Sequence, residues 1–127
     1  MKNHVVEKRL NVYKVFIGTL NAYIITIFLI LAFSVILYFS AISEDIIPKA
    51  VIAIGALSIV FSSFNATRDL DYGGWLHGGF IGLLYVGFLM TLRFFITKEV
   101  GFDLGMLVDL VLGFLIGAIA GAIGVNL

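Results

Sequence analysis

The sequence predicts an all-α integral membrane protein, with four transmembrane helices in an up-down antiparallel bundle. Three observations predict it. Apolar residues make up 61% of the 127 residues and charged residues 13%, with a mean hydropathy of +1.14. A soluble domain of this size lacks the interior to hide so much apolar surface. The eight basic and eight acidic side chains fall in clusters, leaving uncharged runs at 15–43, 50–67, 72–92 and 110–127. A helix needs about 20 residues to cross about 30 Å of hydrocarbon, whereas barrel strands would show alternating segments of about ten. The runs here are long and apolar on every side, which is the helical pattern.

The first helix is expected at about 14–40, after a basic start of Lys2, Lys8, Arg9 and Lys14. A cleaved signal peptide would have an apolar region of about 7–15 residues, and the stretch from Leu10 to Ala41 is far longer. The second helix is expected at about 46–66. Ser43, Glu44 and Asp45 place a cap and negative charge where the helix dipole is positive. Pro48, the sole proline, falls in the first turn, where its missing N–H costs little. Lys49 reaches the interface by snorkelling. The third helix is expected at about 73–96 and the fourth at about 104–126, with Asp103 as its N-cap. Connections of a few residues make consecutive helices antiparallel neighbours in a single four-helix domain. Lys and Arg favour the side holding the N-terminus and the loop between the second and third helices, which predicts both termini in the cytoplasm and a multi-pass protein of the cell membrane.

Lipid gives helices no hydrophobic reason to associate, so close packing has to hold them together. Gly74, Gly78 and Gly82, with Gly87 beyond, form a small-residue line on the third helix. Gly113, Gly117, Gly121 and Gly124 form one on the fourth, a glycine-zipper pattern. Gly18, Ala22 and Thr26 mark the first helix, and Gly55, Ser58, Ser62 and Asn65 the second. These faces serve packing within the chain; alternatively the fourth helix docks another subunit.

Ionisable groups at membrane depth are functional hypotheses by default. Asp109 lies about 7–8 Å into the fourth helix and Arg93 about one turn from the end of the third. A salt bridge between them would lower the cost of burying each. The alternative is a proton or ion relay at Asp109, which would need further titratable groups, and residues 110–127 carry no charge. His77 sits beside Trp75, an expected interfacial anchor. It is expected to hydrogen-bond to a neighbouring helix or loop, with Asn65, Arg68, Asp69 and Asp71 as candidate partners rather than to bind metal. Asn21 and Asn126 are candidates for bonds between helices.

No catalytic chemistry is visible. Cysteines are absent, which excludes a thiolate site. HExxH, GxSxG and phosphate-loop motifs are missing too. No enzyme, metal or cofactor is expected, and the zero net charge gives no case for nucleic acid.

Residues 74–85, Gly-Trp-Leu-His-Gly-Gly-Phe-Ile-Gly-Leu-Leu-Tyr, and the glycine-rich ending from Gly113 to Asn126 resemble the YrzE-like family of small four-helix membrane proteins from Gram-positive bacteria. That family has no established activity, so the resemblance implies fold and localisation and transfers no catalytic residue. It points to Trp75, His77 and Gly78 as the family's most specific positions, and to the protein-export machinery as a partner. The leading expectation is a non-enzymatic membrane subunit or assembly factor acting through glycine-lined helix packing. The other is a small homo-oligomeric channel or transporter, its path lined by Asn21, Thr26, Ser34, Ser58, Ser62 and Asn65.

Overall fold

The computed structural model describes residues 12–70, 73–98 and 103–126. Helices α1 (Val12–Phe39), α2 (Ile47–Thr67), α3 (Gly74–Thr97) and α4 (Leu104–Asn126) each have the length and apolar composition to cross a membrane. No strand occurs among the described residues. The spans agree with the expected ones to within a residue or two.

The helix ends follow local chemistry, with one correction. Ser43 does not cap α2 itself. Its side chain accepts from the Asp45 N–H at 3.3 Å and opens a short 3₁₀ turn, Glu44–Ile46, that leads into α2. Pro48 stands in the first turn of α2, as expected. Asp103 caps α4, accepting from the Met106 N–H at 2.9 Å. At the end of α3, Lys98 turns into the left-handed region (φ 57°), and its N–H closes on the Phe94 carbonyl at 2.7 Å. A non-glycine residue adopts that conformation at some cost, offset here by satisfying a terminal carbonyl.

Contacts join α1 to α2 and α3, and α4 to α2 and α3. The glycine lines of α3 and α4 face each other within the chain. A Cβ added at Gly74, Gly78 or Gly82 would run into the carbonyl oxygen of Gly121, Gly117 or Gly113 respectively. The clash is reciprocal from Gly117 and Gly121. Three rungs of backbone against backbone thus fix an antiparallel register. Gly124 makes the same close approach to Thr67 and Phe64 of α2, and Gly18 of α1 to Ile81 of α3. Gly87 meets nothing within 4 Å and takes no part in the packing, contrary to its expected place on the line.

Burial stops halfway along every helix. The buried residues of α1 end at Ala22 and those of α3 at Tyr85. Those of α2 begin at Ile54 and those of α4 at Gly113. Because neighbours run antiparallel, all of these fall at one end of the bundle. We call this the closed end; it holds Val12, Thr67, Gly74 and Asn126. Towards the other end no described residue is buried, and we call this the parted end.

Candidate functional site

A group of hydroxyls marks the boundary between the two halves. Tyr85 lies on α3 about 16 Å from Gly74, near the middle of a hydrocarbon layer of about 30 Å. Its hydroxyl is 2.7 Å from Thr26 Oγ1 on α1, which is 2.8 Å from Ser58 Oγ on α2. Ser58 in turn donates to the Ile54 carbonyl at 2.8 Å. Read in one direction, Tyr85 donates to Thr26, Thr26 to Ser58 and Ser58 to the backbone, leaving no hydroxyl hydrogen unused. Thr26 has the Ala22 carbonyl at 2.8 Å as a second acceptor. The Tyr23 hydroxyl donates to the Tyr85 carbonyl at 2.5 Å, and the two rings stack at 4.7 Å between centroids. Three helices are tied here without a charge.

A second set of polar links lies nearer the closed end. Ser62 of α2 donates to the Gly18 carbonyl of α1. Ser63 donates to the Gly78 carbonyl of α3 at 3.4 Å. Thr67 bonds back to the Ser63 carbonyl at 2.8 Å and is fully buried beneath Gly124. Lys14 donates to the Ala66 carbonyl at 3.3 Å and pairs with Asp69 at 3.6 Å.

His77 is buried, and its Nδ1 lies 2.7 Å from the Gly73 carbonyl, which also accepts from the His77 N–H at 3.0 Å. The ring thus secures the start of its own helix, where Gly73 adopts φ 75°. Gly73 precedes the helix, so this is the loop-carbonyl bond, one of the two expected for the ring; Asp71 lies outside the described residues, as do the N-terminal charges before Lys14 and Glu99. Trp75 stands 54% exposed at the start of α3, where an interfacial anchor belongs. Among the described residues no group of His, Asp and Glu converges to hold a metal.

Arg93 and Asp109 do not pair. Both are exposed, and the one ion pair among the described residues is Lys14 with Asp69. The glycine register explains it. With Gly82 opposite Gly113, Asp109 comes level with Val86, and Arg93 lies about seven residues, or about 10 Å, further out. Judging depth from the helix ends placed the two at one level; the register staggers those ends. Arg93 therefore stands about two helical turns nearer the end of the bundle than Asp109.

Three expected asparagine roles also change. The side chains of Asn21 and Asn65 are exposed and make no hydrogen bond among the described residues, and Asn126 bonds within its own helix to the Ala122 carbonyl at 2.8 Å. Ser34 likewise bonds back to Ile30 at 2.8 Å. No continuous polar stripe joins these residues. A cavity of about 260 Å³ between α1 and α3 is lined by Phe16, Thr19, Leu20, Tyr23, Phe88 and Leu92, and offers an apolar shape with no charged group.

Over residues 11–124 the chain matches the family model described as a protein of unknown function, DUF3792. The chain belongs to this family. No curated protein and no solved structure matches it. DUF3792 membership agrees with a small membrane protein of four apolar helices and assigns no residue a role.

Proposed function

We propose that this DUF3792 protein is a non-enzymatic subunit or assembly factor of a membrane complex, orientated with both ends in the cytoplasm. One observation carries the reading: the glycine faces of α3 and α4 are used up inside the chain, while the other half of the bundle has no buried residue and holds a carboxylate, Asp109, that pairs with no cation among the described residues. A protein whose helices satisfy one another at one end only has surface left for a neighbour at the other. This moves the docking surface away from the glycine lines and onto the parted half. The resemblance to YrzE-like proteins of Gram-positive bacteria suggests a component of the protein-export machinery as the neighbour.

Native mass spectrometry of the protein extracted gently from its own membrane tests the reading. A stoichiometric foreign protein is expected. A bare homodimer or ring would favour the channel, the second reading. Its support is the hydroxyl chain from Tyr85 to Ser58 at mid-membrane, and its weakness is that the remaining polar residues form no path.

A further inference from the structure

Asp109 continues the inward stripe of α4. Gly113, Ile116 and Ala120 follow it at spacings of four, three and four, and these face the interior: Gly113 and Ala120 are buried, and Ile116 packs against the cluster of Ala22, Ile59 and Tyr85. Asp109 occupies the next place on that stripe, where the helices have parted, so its carboxylate is exposed. Its surroundings on α4 are the exposed side chains of Leu107, Val108, Val111 and Leu112. In a membrane such a surface meets lipid or another helix, not bulk water. A charged carboxylate at this depth is strongly disfavoured unless a cation answers it, and otherwise takes up a proton.

Among the described residues no cation stands level with Asp109. Arg93 stands about 10 Å further out by the glycine register. Lys49, in the first turn of α2, also lies towards the parted end. A second copy inserted in the same direction brings its own Arg93 and Lys49 at those same depths, so self-association repeats the mismatch. A cation that answers Asp109 at its own level would arrive on a different chain.

We propose that the parted half receives a transmembrane helix of another protein that carries a lysine or arginine at the depth of Asp109, and that this ion pair selects the helix. The proposal rests on the subunit reading and specifies the partner's chemistry.

The test uses the full-length protein in phosphatidylcholine vesicles, with fluorescently labelled leucine-alanine helices of about 20 residues as probes. One probe carries a single lysine at the depth of Asp109. A second carries it about seven residues nearer the end, and a third carries none. Energy transfer should show the first probe binding at least tenfold more tightly than the other two, and Asp109→Asn should abolish that preference. The Asp109→Asn protein should keep its helical circular dichroism and its unfolding temperature, which separates lost binding from lost fold. Equal binding of all three probes, or an unchanged preference in Asp109→Asn, would overturn the proposal. So would self-association of the protein that is lost in Asp109→Asn. A foreign partner that co-purifies with wild-type and Asp109→Asn alike would remove the charge pairing while leaving the subunit reading in place.

Discussion

At the closed end, Gly74, Gly78 and Gly82 bring the backbone of α3 onto that of α4. At the parted end the same two helices present Phe88, Leu89, Leu92, Leu107 and Val111, and those side chains are exposed. Both stretches are apolar, so hydrophobicity does not tell them apart. Side-chain size does. In lipid, a large apolar residue gains little by touching a helix rather than an acyl chain, whereas a glycine allows close contact and dispersion over the whole backbone. The hydroxyls bonded to another helix sort the same way: Thr26, Ser58, Ser62 and Ser63 lie at or below the boundary, whereas Ser34 and Thr91 in the parted half bond back to their own helices.

The sharpest way to break the comparison is to fill the glycine line. Gly117→Leu would drive a side chain into the Gly78 carbonyl and should cost more than about 4 kcal/mol, with little folded protein recovered in thermal unfolding. Gly87→Leu, on α3 where nothing lies within 4 Å, should change stability by no more than about 0.5 kcal/mol. Equal damage from both would show that helix composition, not the line, holds the bundle.

The hydroxyl boundary comes next. Tyr85→Phe and Thr26→Val each remove one partner of the same chain, and each should cost about 1 kcal/mol. The double variant should cost less than the sum, because each single change already breaks their shared bond. Additive costs measured by reversible unfolding would mean that the two hydroxyls act separately.

Asp69→Asn should matter less, by about 0.2–1 kcal/mol, and the loss should shrink as salt is added. Least of all, Leu107→Ala should fall within about 0.5 kcal/mol, since lipid replaces what the side chain gives up. A cost above about 1 kcal/mol in a bilayer but not in detergent would sharpen the picture: the parted half closes when a membrane surrounds it.

Much of this was legible in the sequence. Run length and charge placement locate the four spans, and the spacing of Gly113, Gly117 and Gly121 marks a packing face. Tyr23 and Tyr85 were not legible as polar anchors, because an aromatic in an apolar run shows its hydroxyl's role only once the facing helices are known. Ser63 and Thr67 were missed for the same reason. They face α3 and α4 rather than the stripe defined by Gly55, Ser58 and Ser62, and α2 is gripped on more than one side. Asn65 fits that stripe in spacing yet stands exposed. Arg93 and Asp109 failed to meet because register is a property of two helices together, and counting inward from each end cannot recover it.

The antiparallel glycine contacts also impose an order on assembly. α3 and α4 are neighbours in the chain, so their hairpin can close as soon as both have entered the bilayer. The grip on α1 is made of parts delivered later: Ser62 from α2, and Ile81 and Tyr85 from α3. α1 is therefore seated in two stages, against α2 through Thr26 and Gly18 and then against α3 through Tyr23 and Gly18. With 28 residues and Lys14 as its single charge, α1 is well suited to rest in lipid between those two stages.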